Sequence, residues 1–225
     1  GLLGAEGDAM KRLRQVGRWL LWFSLLISTS LQASQTPEYE YQTPPPYPHS
    51  LYEEGLSGLV IFEFRGHSDG SVTDVRIIDS SHRRFAKSVE RTVPKWRLKS
   101  WQANVQVTDT MDFRQELYFT HTRERRDPYT WMRRDLRTLS CHAFNKALTT
   151  FQTHSPSEDV HDLHYITYTF RVLGKAATRL KMTADQRAEL GDEFDRAIRG
   201  VIEQCAAQPT QRYKQLLPEK VRALL

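Results

Sequence analysis

The sequence predicts an α+β fold, a three-stranded antiparallel sheet with one covering helix, followed by an all-α small helical bundle. Three observations predict it. Apolar residues alternate with polar ones across 59–65, 72–78 and 105–119; they recur every three to four residues across 82–93 and throughout 127–225; and Asp69-Gly70 separates the first two alternating runs. A period of two marks a strand with one buried face, and a period near 3.6 marks a helix lying on a core.

Taken in chain order, residues 1–9 precede Met10 and are set aside as a remnant or an over-called start. Lys11, Arg12, Arg14 and Arg18, the apolar run 19–31 and Ala33 follow in the order of a secretory signal, so 10–33 is expected to be a signal peptide. A bilayer span takes roughly 20 apolar residues, more than this run supplies, although the large Leu31 before the cut leaves an uncleaved anchor as the alternative. Export would place the protein in the periplasm. Pro37, Pro44, Pro45, Pro46 and Pro48 make 34–48 an extended, proline-rich linker.

The first strand places Val60, Phe62 and Phe64 on one side. The second pairs Val75 with Ile77 on one side and Val72 with Ile78 on the other. Between them Gly70 supplies the positive φ of a hairpin turn, making the two strands antiparallel neighbours. Phe85, Val89, Val93 and Trp96 form the stripe of a helix that covers the sheet, and Pro94 ends it. From 105 to 119, Val105, Val107, Met111, Phe113, Leu117 and Phe119 alternate with Gln106, Thr108, Thr110, Asp112, Arg114 and Glu116, one long strand whose polar side faces water.

Beyond 127 the chain reads as helical. Asp127-Pro128 starts a first helix carried by Met132, Leu136, Leu139, Ala143, Ala147 and Phe151; a second runs from Val160 to Leu180; Thr183 and Gln186 form a capping box for a third; and a short fourth lies beyond Pro209. The organisation expected is a folded domain over 49–120 and a bundle domain over 127–225.

The residues of 45–119 resemble the C-terminal domain of TonB-type energy transducers. The resemblance rests on Tyr47-Pro48, Gly55, Gly58, Asp69-Gly70, Val72, Val75, Ser80, Ser81, Phe85 and Trp96-Arg97, in this order and spacing. Either Ser80 or Ser81 would cap the covering helix. The resemblance implies that an extended segment of an outer-membrane receptor of the TonB-dependent kind, or of another envelope protein, adds to an exposed edge strand by β-augmentation. It places that contact at Tyr47, Pro48, Val105, Gln106, Val107, Thr108, Thr110, Asp112 and Arg114. Two other readings of the same edge are pairing with a second copy, as a homodimer, which would make this part a structural dimerisation module and leave ligand binding to the helical bundle, and cover by the helical part. The proline segment reaches only about 45 Å at roughly 3.1 Å per residue, short for an arm carrying force between two membranes, so an anchored transducer is the runner-up.

Other constellations weigh less. The formal charge of +5 favours acidic partners. The clusters His82, Arg83, Arg84 and Arg123, Arg125, Arg126, Arg133, Arg134 are read first as solvated faces, and nucleic acid is not expected as a partner. Cys141 and Cys205 exclude a four-thiolate zinc site, and in an oxidising compartment are expected to form one disulfide. His161, His164, Asp159 and Asp162 read as the solvated first turn of a helix rather than a metal site. With no glycine-rich phosphate loop, serine elbow or carboxylate pair, the sequence predicts a binding protein, without enzymatic activity, cofactor or small-molecule substrate.

Overall fold

A computed structural model describes residues 36–105, 107–124 and 127–225. The expected signal segment 10–33, Gln106, Arg125 and Arg126 lie outside the described residues. Strand β2 (Gly58–His67) runs antiparallel to β3 (Val72–Ser80) through a turn in which Gly70 adopts φ 85° and Ser71 donates its backbone N–H to Asp69 Oδ1 at 2.8 Å. A Cβ on Gly70 would lie 2.4 Å from the Leu98 carbonyl oxygen, so glycine is required there both for its φ and for close approach. Strand β5 (Thr110–Phe119) pairs with the other side of β2, giving the order β3-β2-β5. This is the three-stranded antiparallel sheet expected.

Helix α2 (Arg83–Thr92) covers one face of the sheet through Phe85 and Val89, which pack with Val60, Phe62, Phe64 and Trp96 in an apolar core. Its N-terminus is capped by His82, whose Nδ1 accepts from the Arg84 N–H at 3.1 Å, and not by either serine. Ser81 is used elsewhere: its Oγ accepts from the Leu59 N–H at 3.0 Å, tying the strand start to the helix start. The proline segment lies extended against this layer. The Trp96 indole donates to the Thr43 carbonyl at 2.8 Å, the Ser88 hydroxyl donates to that of Pro46 at 2.6 Å, and β1 (Tyr39–Tyr41) pairs with β4 (Arg97–Leu98). A short helix, α1 (His49–Glu53), then leads into β2.

The helical part fills the opposite face. Leu59, Ile61 and Ile78 from the sheet join Trp131, Leu136, Phe144, Ile166, Tyr168 and Val172 in a second core, so Pro37–Leu225 forms one compact unit with the sheet as its middle layer. The polar side of β5 faces water as expected at Thr110, Asp112 and Arg114, but its far end, from Arg114 to Glu116, also meets the helices. Arg114 meets Asp162 at 2.6 Å and Glu158 at 3.3 Å, and Glu116 meets Arg171 at 2.7 Å, forming a charged seam where the helices reach the sheet margin.

The helices are α3 (Pro128–Thr138), α4 (Cys141–His154), α5 (His164–Arg179), α6 (Ala184–Ala207), α7 (Tyr213–Leu216) and α8 (Glu219–Leu224). The first helix expected is two, because Leu139 leaves helical geometry and Ser140 caps a new start, its Oγ accepting from the Ala143 N–H at 3.2 Å. The capping box at Thr183 and Gln186 is present. Cys141 and Cys205 are bonded to each other and join α4 to α6. His164 is not solvated: it is buried, with its ring Nδ1 2.7 Å from Asp79 Oδ2. No helix among the described residues is long and apolar enough to cross a membrane.

Candidate functional site

The two margins of the sheet differ in regularity. Strand β5 pairs with β2 through ten consecutive residue pairs, from Gly58 with Phe119 to His67 with Thr110, without a break. Strand β3 pairs with β2 through two register shifts, and Asp74 there takes φ 52°. A bulge bends a strand and interrupts its hydrogen-bonding rows, which discourages pairing by another chain, whereas an unbroken margin presents them in full. Among the described residues no strand pairs with the outer side of β5.

The side chains of β5 are committed on both faces. Phe113 and Phe119 are buried against the α2 layer, with Met111 and Leu117 half-buried beside them. On the helical side, Asp112 accepts from Arg65 Nε at 2.8 Å and from its Nη2 at 3.2 Å, and this guanidinium holds the carboxyl below its ordinary value. Arg114 also reaches Glu63 at 3.1 Å. The Tyr118 hydroxyl donates to Glu116, and burial, aided by that carboxylate, pushes its pKa well up. With Asp112 and Arg114 engaged inside the molecule, what β5 offers a partner is its outer row of backbone amides and carbonyls.

The remaining site residues expected are spread over three settings. Thr110 is the first residue of β5 and is exposed. Val105, Val107 and Thr108 precede the strand, because Asn104 closes a turn in which its N–H donates to the Val107 carbonyl at 2.8 Å and its Oδ1 accepts from the Val107 N–H at 3.0 Å. The Trp101 indole donates to the Thr108 carbonyl at 2.9 Å, and Val105 stands fully exposed at the tip. The strand expected from 105 thus begins at Thr110. Tyr47 sits at the Phe119 end of β5, edge-on to Phe85, Phe119 and Tyr52, with its hydroxyl bonded to the Leu56 carbonyl. Pro48 accepts from the Leu51 and Tyr52 N–H groups, both at 3.0 Å, and so starts α1.

Sequence reasoning missed Arg171, which lies beside the β5 margin through its pairing with Glu116, and Phe170 next to it, which lines a cavity of about 220 Å³ with Arg114 and Glu116. Nothing local in the sequence marks either residue, since both matter only once the helices dock on the sheet. His161 stacks on Phe170 and is held between Asp159 and Asp195, the latter at 2.5 Å. Burial works against its charge, but the hydrogen bonds to Asp159 and Asp195 prevail and raise its pKa.

Residues 43–120 match the family model described as Gram-negative bacterial TonB protein C-terminal. Similar solved structures include the solution NMR structure of the Pseudomonas aeruginosa TonB C-terminal domain, 22% identical, covering 41% of this chain and 92% of that one, with a TM-score of 0.33. Another is that of the TonB2 protein from Vibrio anguillarum, 18% identical, covering 44% of this chain and 94% of that one, also with a TM-score of 0.33. No curated protein matches the chain.

Proposed function

We propose, from the premise that residues 43–120 are a TonB-like C-terminal domain, that this protein is a non-enzymatic binding protein of the Gram-negative periplasm. It takes up an extended segment of a TonB-dependent outer-membrane receptor, or of another envelope protein, as a fourth strand on β5. The observation that carries this reading is the unbroken ten-residue ladder of β5 with its outer side unpaired among the described residues. A strand added there gains main-chain hydrogen bonds at each second residue while asking little of its sequence. Thr110 marks one end of the added ladder, and Tyr47 and Pro48 stand at the other. The role is in TonB-linked transport or secretion.

A photo-crosslinking residue placed at Thr110 or Asp112 tests the proposal in intact cells. Capture of an outer-membrane or secreted protein is the expected result. Capture of second copies alone would make β5 a dimerisation edge, and capture of nothing would remove the strand-addition reading.

A further inference from the structure

A cavity of about 640 Å³ is lined by residues 75–80, six in a row from β3. Successive side chains of a strand point to opposite faces, so a cavity that meets all six lies along the strand's edge and not over either face. Its walls come from the two layers that sandwich the sheet: Arg83, Lys87 and Glu90 of α2 on one side, Phe151 and His154 of α4 on the other. The second wall lies outside residues 43–120, so the groove exists only because the helical part docks on the sheet.

This groove differs in kind from the β5 margin. The Ser155 hydroxyl donates to the Ile78 carbonyl at 2.7 Å and closes one end of the β3 edge, and the register shifts interrupt the remainder. Main-chain pairing is therefore confined to a few residues around 75–77, and the walls must supply the rest of the recognition. Arg83 and Lys87, one helical turn apart, are exposed and make no ion pair among the described residues; of the two acids lining the groove, Glu90 is exposed and Asp79 is bound to His164. The N-terminal end of α2 adds positive potential at Arg83. The opposite wall is the last turn of α4, whose carbonyl end is negative, and its floor is the buried apolar Phe151. An extended occupant shows alternate side chains to the two walls, and the walls ask for different chemistry.

We infer that this groove is a second peptide-docking site, taking a short extended segment in which acidic side chains face α2 and apolar ones face α4. Its partner is an acidic protein segment, and its occupancy is independent of β5.

The test uses the full chain and short fluorescein-labelled synthetic peptides in which valine alternates with glutamate or with lysine, titrated by fluorescence anisotropy and mapped by amide chemical shifts. The glutamate peptide should bind about tenfold more tightly than the lysine peptide, and Arg83→Glu with Lys87→Glu should reverse the order. These exposed, unpaired positions leave the fold intact, which the unchanged remainder of the amide spectrum verifies. Shifts should concentrate at 75–80, 83–90 and 150–154. Equal binding of the two peptides, shifts confined to 110–119, or no shift at all would overturn the proposal, and the first two results leave the β5 reading standing.

Discussion

His164 closes the junction between the helices and the sheet on Asp79, giving it both its backbone N–H at 2.6 Å and its ring Nδ1 at 2.7 Å. Both side chains are nearly excluded from water, at 7% and 9% exposure, so one carboxylate satisfies two buried donors where α5 starts. Asp79→Ala should therefore cost about 3 kcal/mol, the penalty of two orphaned buried donors. Urea unfolding of the variant against the parent measures it, and a loss under about 0.5 kcal/mol would mean that water reaches the pair.

The disulfide between Cys141 and Cys205 closes a loop across a sequence separation of 64 residues. Chain entropy alone assigns it about 4 kcal/mol. Replacing both cysteines by serine should lower the urea midpoint accordingly, and reductant should then shift the parent midpoint but not that of the variant.

Gly70→Ala places a Cβ 2.4 Å from the Leu98 carbonyl oxygen at a backbone φ of 85°. Strain there should cost about 1–3 kcal/mol, read as a lowered thermal midpoint. An unchanged midpoint would show that β4 yields to the hairpin.

Two groups give stability an opposite dependence on pH. Hydrogen bonds from Arg76 and, secondarily, Arg114 hold the Glu158 carboxyl below the ordinary 4.5. Its contribution is thus complete above that value and is lost as pH falls through the lowered one. His161 titrates above the ordinary 6.5, so its contribution is complete below that value and is lost as pH rises through the raised one. Unfolding midpoints measured across pH should fall on both flanks. Glu158→Gln should flatten the acid flank, and His161→Gln the alkaline flank, with a smaller change on the acid side because the His161 ring also helps to lower the Asp159 carboxyl.

Features set by local chemistry were legible before any coordinates. Asp69-Gly70 demanded a hairpin, Thr183 and Gln186 a capped helix start, Phe85 with Trp96 a helix lying on a sheet, and two cysteines a single bridge. What escaped was the second face of the sheet. The run Leu59, Val60, Ile61, Phe62 is apolar at every position, the mark of a strand buried on both sides. Reading alternation through Val60, Phe62 and Phe64 passes over Leu59 and Ile61, and with them the docking surface for the helices. The same omission left Arg114 and Glu116 without their partners on the helices, because an alternating polar row looks the same whether solvent alone or an ion-paired layer faces it. The helix break at Ser140 escaped for another reason: the apolar spacing continues through it, and only the cap interrupts the backbone. At the site itself, the strand was legible from Thr110 onward, whereas the turn made by Asn104 depends on hydrogen bonds that periodicity does not register.

Hydrogen exchange along β5 tests the central claim most directly. In the free protein, alternate amides of 110–119 should exchange fast and the intervening ones, bonded to β2, slowly. A saturating receptor segment should slow the fast set. If every amide of that stretch is already slow in the free protein, or if the fast set stays fast with the segment bound, β5 is not the surface on which a partner strand is received.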